Sequence, residues 1–417
     1  MEIRNHMFEL NEPGSFRLCA DPLYELDAQK QIGALAEAIP REIGHFAPLG
    51  LILTGSLARG EGSLTRDEQG KPQWLSDIEC LVVFTDARRA EAAAINAALS
   101  RTALALVAAA DENCAGLKIQ LNLIFSSRLL AMRPAIFTRE LATHGKLLWA
   151  GCGSVPSPSA ALEPVPHADG FRLLNNRIVE KLPVRARLAE VMLDHTAAWY
   201  TLRKFWLDLG SSLSVFLDCY RPSYRERSEV INAAVLSRPE IFSPPTLERA
   251  LACMHQAETI DTKKLVPADS FLPSAFDEAA EAAQQVWDWE SKQLLHVDND
   301  RGGWARVPHR LRRIQSTSQR IRDWARLLLR TRKLHTVGAR AIPAMLRAGS
   351  YGGAIYGAAC LLDFYWDEAG AETPSAAAIR NSIGELLGIE IKGSNGRQEA
   401  ARRTFNAWQT HLRDAAW

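Results

Sequence analysis

Short apolar runs and helical spacing alternate in the first third of the chain. Three runs have the length and composition of buried strands: residues 49–53, 78–84 and 117–125. Residues 26–39 carry apolar side chains at helical spacing, and the alanine-rich stretch 86–110 predicts a second helix between the last two runs. The pattern predicts a small α/β layer over residues 1–150.

Proline, glycine and serine interrupt this pattern at residues 151–170, which have no strand or helix period and are interpreted as a linker. Beyond them the apolar spacing is helical. Helices are expected within 186–220 and over 226–237, 246–258, 276–296, 308–334, 339–364, 375–388 and 397–415. We predict an α+β protein, with an α/β domain holding a short mixed sheet (1–150), a linker (151–170) and an all-α region (171–417). Whether that region divides into two bundles near residue 300 is left open.

The composition is that of a water-soluble chain with a sizeable core: 417 residues, 47% hydrophobic and 23% charged. The first ten residues lack the apolar core of a signal peptide, and no apolar run reaches the roughly 18 residues that a membrane helix needs. Seven scattered cysteines without CxxC spacing argue against a disulfide framework and a zinc site. Together these features predict a cytoplasmic protein without a transmembrane segment.

The net charge is +1, but charge is distributed unevenly between residues 1–170 and residues 171–417. Residues 1–170 contain 15 Lys/Arg and 20 Asp/Glu, whereas residues 171–417 contain 34 and 28. Residues 301–333 alone hold eleven basic residues and one acid, above a narrow apolar stripe. Such a segment suits a solvated helix face. It also suits binding to an anionic acceptor, to nucleic acid, to a membrane surface or to the acidic N-terminal domain. Docking onto the N-terminal domain is favoured modestly over the other binding roles by the asymmetry, and nucleic acid is not favoured.

A Gly-Ser pair and an acid-x-acid triplet mark the facing ends of two successive predicted strands. Gly55 and Ser56 end the first strand, and Asp77 and Glu79 open the second. Because strand side chains alternate, both carboxylates project from the same face, where a cation would relieve their repulsion. Carboxylate oxygens suit Mg²⁺, and a turn through glycine lets a serine hydroxyl and backbone N–H groups approach a phosphate.

This order of strand, Gly-Ser, variable loop and Asp-hydrophobic-Glu strand resembles the signature of the DNA polymerase β-like nucleotidyltransferase superfamily. The next helix and strand, followed by a separate helical region, are similar to two-domain antibiotic (aminoglycoside-type) adenylyltransferases. The resemblance implies that Asp77 and Glu79 bind Mg²⁺ (or Mn²⁺) with a nucleotide, and that Gly55 and Ser56 contact its terminal phosphates. It covers about the first 150 residues by motif and only the general architecture beyond them.

The third predicted strand departs from that family pattern. Catalytic members carry a third carboxylate there, but here Lys118, Gln120 and Asn122 share the polar face. An amide cannot take a proton at neutral pH, so either the general base comes from elsewhere or the site has lost its chemistry. Four acids of the helical region are unranked candidates for the base: Glu180, Glu190, Asp194 and Asp208.

Basic residues outside the motif are candidates for contacts with a triphosphate. Arg59 lies in the loop after the Gly-Ser pair, within reach of a phosphate. Lys204, in an aromatic-rich helix, is assigned to the triphosphate tail by resemblance and position, and packing against neighbours on its own helix is the alternative. Arg225 and Arg227 are further candidates.

These features predict a Mg²⁺-dependent nucleotidyltransferase. It would move a nucleoside monophosphate, AMP from ATP by family frequency, to a hydroxyl acceptor and release pyrophosphate. The acceptor is not identified, and an anionic one is among the candidates. Two alternatives stay open: a non-catalytic nucleotide-binding regulatory module, and an enzyme whose acceptor is a protein or RNA.

Overall fold

The computed structural model describes most of the chain, with gaps between the described ranges. These are residues 7–12, 14–19, 21–66, 70–110, 116–151, 153–159, 163–188, 194–236, 244–255, 272–297, 303–330, 341–365, 374–391 and 396–411. They form an α+β protein with a small sheet in the N-terminal region and helices after it, which confirms the predicted class.

The chain divides into two compact units. The first comprises the described residues of Met1–Pro166, Asp218–Val230 and Ala252–Val266. The second comprises those of His167–Leu217, Ile231–Leu251 and Pro267–Trp417. Two segments from the later part of the chain therefore belong to the sheet-containing unit.

Four strands form a mixed sheet in the first unit, in the order β5-β4-β1-β6. They are β1 (Gly50–Thr54), β4 (Ile78–Phe84), β5 (Ile119–Phe125) and β6 (Lys146–Ala150). β4 is antiparallel to β1 and parallel to β5, and β6 is antiparallel to β1. The three strands that the sequence predicts are present, and β6 is an addition. β2 (Leu64–Arg66) and β3 (Pro72–Trp74) form a separate hairpin in the loop between β1 and β4.

Helices cover both faces of this sheet. They are α1 (Glu25–Ile43), the short α2 (Gly55–Ala58), α3 (Ala92–Ala110), α4 (Ser126–Leu130) and α5 (Ile136–His144). Apolar residues of α1 and α3 pack with Ile78 and Cys80 of β4 in one core cluster. Leu129 of α4 and Leu141 of α5 pack with Leu81 in the other. Since side chains on a strand alternate, Glu79 belongs to the face covered by α4 and α5.

One described helical segment, Asp86–Ala110, has the length and composition of a membrane span, a test that core helices also pass. Its residues Ile95, Leu99 and Ala110 lie in the core beside the sheet. Its outer face is exposed and includes Leu104, which is 70% exposed. No other helix in the described ranges meets the same criteria.

The later part of the chain is helical, as predicted. In order it contains α6 (His167–Ala186), α7 (His195–Phe216), α8 (Tyr224–Leu236), α9 (Pro244–His255), α10 (Leu272–Leu295), α11 (Val307–Ile314), α12 (Thr317–Arg330), α13 (Ala341–Ala348), α14 (Tyr351–Phe364), α15 (Pro374–Leu387) and α16 (Gly396–His411). α6 begins three residues before the end of the predicted linker.

Two of the predicted helices are each divided into two. Residues 308–334 contain α11 and α12, and residues 339–364 contain α13 and α14. A serine caps the second helix of each pair: Ser316 Oγ accepts the N–H of Gln319 at 3.2 Å, and Ser350 Oγ accepts that of Gly353 at 3.0 Å. Gly349, with φ of 90°, provides the left-handed residue after α13.

Candidate functional site

The Gly-Ser turn and the acid pair lie at one edge of the sheet. Thr54, the last residue of β1, pairs with Glu79 in the antiparallel register, so the turn starts beside the first residues of β4. On the other side of β4, the parallel register places Gln120 of β5 opposite Glu79. The ends of three strands, with their polar side chains, therefore meet at this edge.

Glu79 packs against the backbone of Gly55. Gly55 has φ of 71°, and a Cβ built on it would lie 2.7 Å from Glu79 Oε2. Thr54 Oγ1 also donates a hydrogen bond to the Glu79 carbonyl oxygen at 3.0 Å. Only glycine meets both requirements of the position, because it tolerates the left-handed conformation and leaves space for the carboxylate.

Ser56 connects the turn to the residue that precedes Asp77. Its hydroxyl donates to Ser76 Oγ at 3.2 Å, and Ser76 Oγ also accepts the backbone N–H of Ser63 at 2.9 Å. Ser76 is buried, whereas Ser56 and Asp77 are half-buried. These two hydrogen bonds fix the Gly-Ser turn and the loop residue Ser63 relative to the start of β4.

Gln120 is bonded to the first acid of the pair. Its Nε2 donates to Asp77 Oδ2 at 2.8 Å. Lys118 and Asn122, the other polar residues predicted for this strand face, are exposed. The amide therefore orients Asp77, and an amide supplies no general base.

The donors at this edge suit a hard divalent cation. Two carboxylates and the Ser56 hydroxyl offer oxygen ligands, which Mg²⁺ and Mn²⁺ prefer. Among the described residues, no group of three or more His, Cys, Asp or Glu could hold a metal ion. The donor set therefore fits a cation whose coordination is completed by water and by phosphate oxygens of a substrate, and does not form a site closed by protein.

Arg59 is not the exposed loop cation that the sequence suggests. Its side chain is only 6% exposed and forms ion pairs with Glu61 at 2.7 Å and with Glu140 of α5 at 2.6 Å. Burial opposes the charged form, but Glu140 and Glu61 raise the pKa of Arg59 well above its usual value. With both carboxylates in contact, the guanidinium is buried and paired within the protein, and its contact with a nucleotide phosphate stays a prediction.

The segment Asp218–Val230 joins the same network. Tyr220 Oη donates to Glu140 Oε1 at 2.6 Å, and the buried Arg227 donates to that oxygen as well. The backbone N–H of Tyr224 donates to Glu61 Oε1 at 2.7 Å. Glu140 thus binds two buried arginines and a tyrosine. Together with Glu61 and Tyr224 these residues form what we call the Glu140 network (Arg59, Glu61, Glu140, Tyr220, Tyr224 and Arg227).

Two further candidates for phosphate contacts, Arg225 and Arg227, lie in or beside this network. Arg227 lies over the rings of Tyr220 and Tyr224, with its Cζ 4.5 Å and 4.7 Å from their centroids, so it is an internal cation. Arg225 is exposed and pairs with Glu229 at 3.6 Å. Sequence reasoning missed Glu140, a single acid on a short helix, because no local pattern pairs it with residues about 80 positions away on either side.

The network also affects a neighbouring histidine and its own tyrosine. Burial and the nearby positive charge of Arg59 lower the pKa of His144, at the end of α5. Burial raises the pKa of Tyr220 well above its usual value. Both groups are therefore neutral at pH 7, and the charges of the network reside on its arginines and carboxylates.

The candidates from the helical region lie in the second unit. Lys204 Nζ is 5.3 Å from the centroid of the Tyr200 ring. Glu180 and Asp208 both bind Arg177, and Asp194 caps α7 by accepting the N–H of Ala197 at 3.0 Å. Glu190 lies outside the described residues. Each of the three described acids therefore has a local partner, and the roles predicted for Lys204 and for a base stay predictions.

A surface cavity of about 420 Å³ lies elsewhere in the first unit. Phe16, Arg17, Glu25 and Gln29 are among its lining residues. None of the residues at the acid-pair edge lines it, so the cavity provides no argument about the candidate site.

Comparison of the chain with protein-family models, with curated proteins and with solved structures gives no match.

Proposed function

We propose that the chain is a Mg²⁺-dependent nucleotidyltransferase, of the kind that its motif resembles. The observation that carries the proposal is the contact between Glu79 and Gly55, with Asp77 on the same edge of the sheet. A phosphate-binding turn and a pair of cation-binding carboxylates must be adjacent if one nucleotide is to reach both. Their positions here meet that requirement.

The reaction is the transfer of a nucleoside monophosphate to a hydroxyl. The acceptor oxygen forms a bond to the α-phosphorus of an NTP, ATP by family frequency, and the bond from that phosphorus to the bridging oxygen breaks. Pyrophosphate leaves with the electron pair, and the hydroxyl proton passes to a base or to water. When bound, Mg²⁺ would neutralise phosphate oxygens and stabilise the leaving pyrophosphate.

The residues at this edge of the sheet have separate roles in binding the cation and the nucleotide. Asp77 and Glu79 would hold the cation, and Gln120 fixes the orientation of Asp77 through its hydrogen bond. Gly55 lets the chain turn close to the ligand, and Ser56 offers a hydroxyl to the terminal phosphates. Arg59 orders the end of this turn from within the Glu140 network, through its ion pairs with Glu61 and Glu140.

Pyrophosphate release tests the proposal directly. The full chain is incubated with each NTP and Mg²⁺ across a panel of hydroxyl acceptors, and labelled nucleotide is followed into protein and RNA of a lysate. Asp77→Asn and Glu79→Gln should each lower turnover by at least about 10²-fold, since each removes a charge that the cation needs. Glu37→Gln, which changes an exposed carboxylate on α1 of the same unit, is the control and should retain turnover. Unchanged turnover in both acid-pair variants would refute the assignment.

A non-catalytic nucleotide-binding module is the second candidate, and Gln120 is the observation that favours it. An amide in place of a carboxylate leaves the described part of the sheet edge without a proton acceptor beyond the acid pair itself. A melting-temperature increase with Mg²⁺ and NTP, abolished in Asp77→Asn and unaccompanied by pyrophosphate release, would favour this alternative.

A further inference from the structure

Helices α11 and α12 of the second unit carry exposed arginines that no described carboxylate neutralises. Arg312 and Arg313 on α11 and Arg322 on α12 are exposed, and none of them forms an ion pair within the described residues. Other exposed arginines of this unit do: Arg347 pairs with Glu385, Arg249 with Glu278, and Arg402 and Arg403 with Glu399. The positive charge on α11 and α12 is therefore unusual for this unit.

The same region holds the exposed aliphatic side chains of the unit. Within its described residues, the exposed large hydrophobic side chains are Ile321, Ile342 and Leu346, which are 63%, 39% and 55% exposed. Ile321 precedes Arg322 on the outer face of α12, and the other two lie one turn apart on α13. The exposed aliphatic side chains thus lie on α12 and α13, and the unpaired arginines lie on α11 and α12.

Contacts at Gly349 bring these helices together. A Cβ at Gly349 would lie 3.1 Å from the Cα of Arg312 and 3.1 Å from the Cδ of Arg320, so α11 and α12 both approach the residue that follows α13. Trp324 Nε1 donates to the Gly349 carbonyl at 3.3 Å, and the Gly349 N–H donates to the Leu346 carbonyl at 3.3 Å. The helices that carry the arginines and the aliphatic side chains are therefore neighbours, and we call their exposed residues the α11–α13 surface (Arg312, Arg313, Ile321, Arg322, Ile342 and Leu346).

We propose that the α11–α13 surface docks onto an anionic phospholipid bilayer. Guanidinium groups bind phosphate oxygens in pairs of hydrogen bonds. Each Lys or Arg side chain near a negatively charged bilayer adds its own favourable term to the binding free energy. Ile321 and Leu346 gain from entering the boundary between headgroups and acyl chains. A nucleic acid backbone would satisfy the charges alone and leave the aliphatic side chains in water, which is why a bilayer is the better match.

Co-sedimentation of the full chain with vesicles tests this inference. Vesicles of phosphatidylcholine with phosphatidylserine should bind the chain, pure phosphatidylcholine vesicles should not, and added salt should weaken the binding. The double variant Arg312→Ala/Arg313→Ala should bind about 25-fold more weakly, at roughly fivefold for each arginine. The control Arg402→Ala/Arg403→Ala removes two exposed arginines that Glu399 neutralises and should retain binding.

A second pair of variants separates a bilayer from a nucleic acid. Ile321→Asn should weaken vesicle binding, whereas Leu104→Asn, at another exposed aliphatic position, should not. These substitutions are at exposed positions, so circular dichroism and melting curves are expected to match those of the wild type. The proposal is overturned if anionic vesicles fail to bind, if the Arg312/Arg313 variant binds them unchanged, or if duplex RNA binds in their place with no effect of Ile321→Asn.

Discussion

The Glu79 carboxylate occupies the space that a side chain at Gly55 would need, with Oε2 only 2.7 Å from an ideal Cβ position. A glycine at a strand end is often explained by its backbone conformation alone. Here the neighbouring acid adds a second requirement, and it connects the turn of β1 to the first residues of β4. A substitution at Gly55 should therefore disturb both features of the candidate site together.

Gly55→Ala is expected to disturb the Glu79 carboxylate in addition to straining the backbone. The left-handed conformation alone costs about 1 kcal/mol for alanine, and the methyl group would also displace the Glu79 carboxylate. Gly70→Ala is the matched control, because Gly70 has φ of 79° and nothing within 4 Å of the Cβ position. We expect the melting temperature to fall in both variants, with loss of NTP-dependent pyrophosphate release in Gly55→Ala only. Equal behaviour of the two variants would show that Glu79 is not constrained by the turn.

Gln120→Glu should make the stability of the first unit depend on divalent cations. The substitution replaces the donor that binds Asp77 with a third carboxylate, and the repulsion lowers the melting temperature when EDTA is present. Mg²⁺ should restore the melting temperature, because three carboxylates and a cation compensate each other. Asn122→Glu adds the same charge at an exposed position of the same strand and should show little of this response. A Mg²⁺-independent decrease in Gln120→Glu would argue against a cation at this edge.

The sheet and the acid-pair edge could be predicted because their signals are local. Apolar runs identify β1, β4 and β5, and the alternation of side chains on β4 places Asp77 and Glu79 on one face. β6 gave no comparable signal, since its five residues, Lys146–Ala150, directly precede the proline-rich stretch and contain one buried pair of leucines. The direction in which β1 and β4 pair was not predicted either.

Arg59 shows why the remaining part of the site could not be predicted. Its loop position indicates a solvated or phosphate-binding cation, whereas its partner Glu140 lies 81 residues further along the chain. Arg227, which shares that partner, lies another 87 residues on. Pairings at such separations depend on how the elements pack, and no pattern of spacing within one segment encodes them.

Glu140→Gln is expected to be strongly destabilising. The amide keeps the shape of the side chain but leaves Arg59 and Arg227 buried with less negative charge, and removal of one partner from a buried ion pair typically costs about 3–5 kcal/mol. Glu399→Gln is the control, because Glu399 pairs with two arginines at an exposed site, where such pairs contribute roughly 0–1 kcal/mol. Urea denaturation compares the two variants with the wild type. A decrease for Glu140→Gln no larger than that for Glu399→Gln would indicate that the network is not a major source of stability.

Glu290 is a fully buried acid of the second unit. Ser212 Oγ donates to its Oε1 at 2.6 Å, and its Oε2 has no hydrogen-bond partner among the described residues. Burial raises the pKa of Glu290 from 4.5 to about 8, although the Ser212 bond opposes the increase. Between these two values the folded chain holds a proton that the unfolded chain has lost. The stability that the neutral carboxyl contributes is therefore complete below about pH 4.5 and is lost as the pH rises through about 8.

Glu290→Gln should remove this part of the pH dependence, because glutamine has the same shape and does not titrate. The variant should melt at a higher temperature than the wild type at pH 8, with a difference that shrinks towards pH 5 at up to about 1.4 kcal/mol per pH unit. Glu399→Gln, a change at an exposed acid, should show a constant difference over the same range. Measurements end at pH 8 because burial lowers the pKa of Lys181 to about 8, so this buried lysine affects stability above that pH. If the Glu290→Gln difference were constant with pH, Glu290 would have to be ionised in the folded chain, and the unpartnered Oε2 would need a cation or a water that neutralises it.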